Sequence, residues 1–216
     1  MKPKTFSQKL EDCRILIFNS NNPEIAPYLN GIGIDEAYLE AGKNLYQEVL
    51  DVSASQKKEY QEQSLAYDVY FENKENCEKT YKRNVNIVKV MARNDKDLQS
   101  RLLLADSLVH RRATDWIIST IGFYDRLAVE TDFMEKLKIT NITPEQIAAD
   151  QQAIQELNLL RNKAVSEKGE AQESTRLRNE KMEALEDYCY ELKNLARIAL
   201  DGQTQYLEIL GILVRS

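Results

Sequence analysis

Histidine is nearly missing from this chain: its 216 residues include one, His110. Di-iron bundles need a Glu-x-x-His motif on each of two helices. Zinc sites draw on sets of Cys and His, and nucleophile triads need a base, most often His. One histidine supplies none of these. Ser107 stands three residues before it, and Asp106 one helical turn before it, a spacing read as a surface pair. Seven glycines and four prolines are too few for the many turns of an all-β fold. No Gly-rich phosphate or dinucleotide loop occurs.

The three cysteines, Cys13, Cys77 and Cys189, form no C-x-x-C pair, and their number is odd. A disulfide framework is not expected, and a reducing compartment is. Cys77 and Cys189 sit among apolar helical positions and read as small core residues. No apolar run is long enough to cross a bilayer. The run Ile15 to Phe18 follows Glu11-Asp12 and makes no signal-peptide core, so a cytoplasmic protein is expected. Asn141-Ile142-Thr143 fits the glycosylation pattern, but nothing else points to secretion. Positive charge is also in deficit. Twenty-nine Lys and Arg face 35 Asp and Glu, giving a net charge of −6, which opposes nucleic-acid binding. The most basic stretch, Lys79, Lys82, Arg83, Lys89 and Arg93, reads as a solvated helix face, and His110-Arg111-Arg112 is too short to matter. With so many acidic residues, carboxylate groupings on solvated helices are no argument for a metal. No cofactor, metal or catalytic residue is expected.

What is present is 43% hydrophobic and 30% charged residues in helix-compatible order, so the fold class is all-α. Internal similarity runs at an offset of 108 residues, half the chain length. Leu29 meets Leu137, Ile34 meets Ile142, Leu39 meets Ile147, and Gln47-Glu48-Val49 meets Gln155-Glu156-Leu157. Helix punctuation aligns as well. Asp35 and Thr143 are both N-cap types, with Pro144 at the first helical position and Gln146 at the capping-box position. Asn94 meets Gly202, the two residue types that best close a helix in the left-handed conformation. The expected organisation is a tandem duplication, residues 1–106 and 107–216, of a unit about 108 residues long.

Each copy is predicted to open with a helix, Thr5 to Ser20 and Ser107 to Leu127, followed by a short turn of helix. A long stretch follows, Asp35 to Arg93 and Thr143 to Asp201, and a short closing helix ends the copy. The long stretches carry a heptad-like row, apolar at both ends and polar or small in the middle. The first row runs Leu39, Gly42, Tyr46, Val49, Ser53, Gln56, Tyr60, Gln63, Tyr67, Tyr70, Lys74, Cys77, Tyr81, Asn84, Val88 and Met91. Two readings fit. Each stretch is one unbroken helix, about 90 Å for sixty residues, two of them pairing antiparallel with bundles at both ends. Alternatively each folds back near residues 58–64 and 166–172 into a compact three-helix bundle. Lack of Gly and Pro favours the first; Gly169 and Gln56-Lys57-Lys58-Glu59 favour the second.

Glu59, Glu62, Glu72, Glu75 and Glu78 recur at helical intervals and read as solvated residues rather than as acid–base catalysts. The aromatics are less evenly shared. Tyr60, Tyr67, Tyr70 and Phe71 crowd the middle of the first long stretch, whereas the second has no aromatic from Gln155 through Asp187. Two readings fit them: an asymmetric core, or an interaction surface for which these four residues are the candidates, since Tyr supplies contact area with little entropy loss. Trp116, before Ile117-Ile118, reads as a core anchor.

A short helix leading into a capped long helix, a small-residue stop and the tail Leu207-Glu208-Ile209-Leu210-Gly211 together resemble uncharacterised bacterial proteins built of tandem long-helix repeats. The first copy departs from that tail with Leu98-Gln99-Ser100-Arg101-Leu102-Leu103. The resemblance covers most of the chain and implies no activity. The expected function is therefore a non-enzymatic helical scaffold or protein-interaction protein, with another protein as partner and neither nucleic acid nor membrane. The alternative is a small-molecule or lipid carrier with a bundle pocket lined by Trp116, Ile117, Phe123 and Tyr124. Self-association stays open, because a pseudo-twofold monomer and a true dimer satisfy the same pattern.

Overall fold

The computed structural model describes residues 3–104 and 112–213. His110 with Asp106, Ser107 and Arg111 lies outside them, as does the expected boundary at residue 106. Among the described residues there is no strand, and the fold is all-α. Helix α1 spans Phe6–Asn19, α2 Ala26–Asn30, α3 Glu36–Met91, α4 Lys96–Arg101 and α5 Ala113–Ala128. Then come α6 Thr131–Leu137, a 3-10 turn Lys138–Thr140, α7 Pro144–Ala199 and α8 Thr204–Ile209. No helix among the described residues is long and apolar enough to cross a membrane.

The choice between a long helix and a hairpin falls to the long helix: α3 and α7 are each unbroken over 56 residues. No Pro interrupts either one beyond its first turn, and Gly169 passes inside α7 because a lone Gly costs a helix only about 1 kcal/mol. The start signals act as read. Asp35 Oδ1 accepts the Tyr38 N–H at 2.9 Å, and Thr143 Oγ1 accepts the Gln146 N–H at 3.3 Å. Thr5 and Gln8 close a full capping box on α1. One stop signal differs. Gly202 is left-handed at φ 78°, but Asn94 is not; among the described residues the left-handed non-glycine ones are Leu103 and Asn141. Asn94 needs no such turn, since the chain leaves α3 through an Asp95 N–H bond to the Ala92 carbonyl and enters α4 capped by Asp95.

The chain packs as two compact units that differ from a division into 1–106 and 107–216. Unit 1 comprises Met1–Gln61 and Gly169–Ser216, and unit 2 comprises Glu62–Lys168. Each draws on one part of α3 and one part of α7. The reason is the distribution of apolar residues along those helices: each end of a long helix has its own buried face, and helices are stabilised mainly by burying such a face. In unit 1 the core holds Ile17, Leu29, Val49, Leu185, Leu192 and Leu200. In unit 2 it holds Val88, Leu102, Leu127, Leu137, Ile147 and Leu157.

Candidate functional sites

The unit 2 core contains a buried polar cluster. Ile147, Asp150 and Ile154 follow one another on a single face of α7, so a carboxylate stands in a row of core positions. Asn84 enters the core from α3 and Tyr124 from α5. The Asn84 amide donates to Asp150 Oδ2 at 2.7 Å and to the Tyr124 hydroxyl at 3.2 Å. The Tyr124 hydroxyl donates to the same Oδ2 at 3.3 Å, and Gln146 Nε2 donates to Oδ1 at 2.9 Å. Three helices thus converge on one carboxylate, whose charge is met by hydrogen-bond donors rather than by a cation. Beside it lies a cavity of about 160 Å³, with Cys77, Thr80 and Asn76 on its wall along with Asp150 and Tyr124.

Burial, reinforced by the Asp150 charge, pushes the Tyr124 phenol well above the ordinary tyrosine value. In unit 1 burial and the neighbouring Tyr38 do the same for Tyr188. Above about pH 10 the unfolded chain gives up these phenolic protons while the folded chain keeps them. Stability is then flat below that pH and falls as pH rises, by about 1.4 kcal/mol per unit for each such group. Denaturant midpoints between pH 8 and pH 11 are expected to show this decline in the wild type and a shallower one in Tyr124→Phe. Equal slopes would remove Tyr124 as a cause.

Unit 1 has a larger cavity, about 490 Å³, with Cys13, Leu16, Cys189, Leu210 and Ile212 on its apolar side. Its polar side carries Lys9, Asp12, Glu186 and Lys193. Lys9 pairs with Glu186 at 2.9 Å, linking α1 to α7. Elsewhere in unit 1, Gln56 is buried and bridges Arg178 Nη1 and Thr175 Oγ1, each at 2.9 Å.

The candidate aromatic surface does not survive as one patch. Tyr60, in unit 1, is 49% exposed, with its hydroxyl 3.2 Å from Thr175 Oγ1. In unit 2 Tyr70 is buried in the core, Tyr67 packs partly against it, and Phe71 is 55% exposed. Phe71 stacks on Tyr67 with centroids 5.9 Å apart and lies 5.2 Å from Tyr70. On the other flank of the same helix, Leu65, Ala66 and Val69 form a groove of about 310 Å³ with Leu160 and Lys163 of α7, closed by Glu62 and Glu167. Leu65 is 64% exposed and Val69 37%. The groove residues of α3 follow i, i+3, i+4, i+7 spacing, which the sequence displayed but the aromatic cluster beside it obscured.

Trp116, Ile117, Phe123 and Tyr124 are all buried, and Tyr81 gathers the aromatic three edge-on at 5.5–6.2 Å. They fill the core, and of the four Tyr124 alone is on the wall of the unit 2 cavity. Cys77 is half-buried, its thiol pushed up by burial. Glu75 and Glu78 pair with Lys79 and Lys74 one turn away, as expected of a solvated helix surface. Comparison with protein-family models, curated proteins and solved structures gives no significant match.

Proposed function

We propose that this chain is a non-enzymatic helical scaffold whose unit 2 groove between α3 and α7 receives an amphipathic helix of a partner protein. The observation that carries the reading is the groove itself. Leu65 and Val69 stay exposed on a helix whose other solvent positions are mostly polar, beside Leu160 of the neighbouring helix. Contiguous apolar surface rimmed by charge is the usual mark of a docking site, and a groove between two helices suits a third helix. Glu167 at its edge favours a partner helix bearing Lys or Arg beside its apolar anchors.

The test is affinity capture with wild type, Leu65→Glu/Val69→Glu and Phe71→Glu, all checked for native helicity. The expected result is a captured protein lost at least tenfold by the double variant and retained by Phe71→Glu. Loss with Phe71→Glu alone would move the partner to the Tyr67–Phe71 face. No effect of any variant would sink the scaffold reading. A second reading, a small-molecule carrier, is favoured by the unit 1 cavity, whose volume lies within the range of ligand pockets. Native mass spectra of the purified chain test it.

The chain is further read as a tandem duplication, 1–106 and 107–216, related to the bacterial long-helix repeat proteins it resembles. The element bounds support the duplication. Helices α3 and α7 begin at residues 36 and 144, and α4 and α8, of six residues each, at 96 and 204. The left-handed residues after those short helices are Leu103 and Gly211. Each of these pairs keeps the 108-residue offset. On this reading each compact unit combines the front of one copy with the back of the other. A cytoplasmic location is supported by the three free thiols.

A further inference from the structure

We infer that Cys13 and Cys189 form a reversible redox site, a dithiol that a peroxide converts to a disulfide joining α1 to α7 inside unit 1. The inference does not depend on the scaffold reading. Both residues are buried in the same core cluster, one on each helix, and both line the same cavity of about 490 Å³. The two thiols are close enough for each to shift the other's titration. A cavity of that size admits a small oxidant to sulfur atoms that a protein-sized reagent cannot reach. The two sulfurs are not equivalent. The neighbouring Cys189 holds the Cys13 thiol below its ordinary range, while Cys13 pushes the Cys189 thiol up, burial adding to the latter. Burial and the Glu186 and Asp12 charges work against that lowering and Lys9 with it, all of them weaker than the Cys189 effect. Cys13 is therefore the attacking sulfur and Cys189 the resolving one.

The chemistry balances with hydrogen peroxide as the oxidant. The Cys13 thiolate attacks one peroxide oxygen, the O–O bond breaks, and the departing hydroxide takes up the proton that Cys13 released, leaving as water. Cys13 is then a sulfenic acid. The Cys189 sulfur attacks the Cys13 sulfur, and the sulfenic oxygen leaves with the Cys189 proton as a second water. Two thiols have been oxidised, one peroxide reduced, and one S–S bond formed. A small dithiol such as dithiothreitol reverses the reaction by exchange. Cys77 is the internal control: it lies in unit 2, with its thiol raised by burial and the Asp150 charge.

The experiment is intact mass and peptide mapping of the whole reduced chain after treatment with a small excess of hydrogen peroxide, quenched by alkylation without reductant. The expected result is loss of two hydrogens, a Cys13–Cys189 linked peptide pair, alkylated Cys77, and full reversal by dithiothreitol. Cys77→Ser is expected to behave as wild type. Cys189→Ala is expected to stop at a Cys13 sulfenic acid, trapped as a dimedone adduct at least tenfold more abundant than any adduct on Cys77. A linkage through Cys77, a disulfide between chains, or Cys77 oxidised ahead of Cys13 would overturn the assignment. The wild-type map decides this even if a cysteine variant fails to fold.

Discussion

Asp150→Ala is expected to destabilise unit 2 by about 3 kcal/mol, while Asp150→Asn costs about 1 kcal/mol. The difference lies in what each change leaves behind. Alanine removes the acceptor for three donors, namely the Asn84 amide, the Tyr124 hydroxyl and Gln146 Nε2. Asn84 and Tyr124 are almost wholly buried, so both lose their charged acceptor in a place where bulk water does not reach freely. An unpaired buried donor costs about 1–3 kcal/mol. Part of that penalty is offset because the buried carboxylate itself no longer has to be desolvated. Asparagine keeps one oxygen for Asn84 and Tyr124 and presents its amide to Gln146, which turns its own side-chain oxygen to accept. The residual cost is the exchange of charged for neutral hydrogen bonds. Trp116, the chain's one tryptophan, is buried in the unit 2 core, so its fluorescence follows this unit during denaturant unfolding. Equal losses for the two variants would show that the cluster is packing rather than a hydrogen-bonded network.

The same residues show how much of the molecule the sequence makes legible. Helical periodicity and capping signals located both ends of α3 and α7 to within two residues, because both are local properties of the chain; the 3-10 turn Lys138–Thr140 was not foreseen, and the start expected at Ser107 lies outside the described residues. Partnership is not local. Asn84 stood in the heptad row and Asp150 between Ile147 and Ile154, so each was visible as a polar residue at a core position. That they meet each other, and meet Tyr124, depends on the register of α3 against α7, which no short-range signal specifies. Tyr70 falls to the core reading of the aromatic cluster, and the surface reading fails for it, for a related reason. Tyr67, Tyr70 and Phe71 are close in sequence, but 100° per residue turns Tyr70 into the seam and Phe71 out of it. Cys13 and Cys189 lie at opposite ends of the chain, and their spacing carries no motif; packing of α1 on the last part of α7 brings them together. The division at residue 106 records where similar segments recur, whereas the compact units record where apolar faces meet, as the reading with a bundle at each end of the long helices had them.

Gly42 is where the local rules give the wrong sign. A glycine inside a helix costs about 1 kcal/mol relative to alanine, so Gly42→Ala on helix propensity alone would stabilise α3. We expect instead a net loss of about 2 kcal/mol. A Cβ at that position would stand 2.4 Å from Cε1 and 2.6 Å from Cζ of Tyr188. The ring cannot yield cheaply. Its hydroxyl donates to the Tyr38 carbonyl at 2.8 Å, and its face lies 5.0 Å from the Tyr38 ring at 30°. Moving it forfeits a hydrogen bond, an aromatic contact and packing in the surrounding core, together about 3 kcal/mol against the 1 kcal/mol gained. The same substitution in a Tyr188→Ala background meets no ring, so there it is expected to stabilise by up to about 1 kcal/mol. The two substitutions therefore couple by about 3 kcal/mol in a double-mutant cycle followed by far-UV circular dichroism. A stabilising Gly42→Ala in the wild type would mean that Tyr188 does not hold this seam. Under the duplication reading, position 42 corresponds to 150 and position 188 to 80. One unit then fills this part of the seam with a phenol laid over a glycine. The other places Asp150 and Thr80 there and keeps a cavity between them. The two copies would have diverged at the point where side chains of α3 and α7 must meet, which is why a repeat so regular in its helix ends yields two chemically different cores.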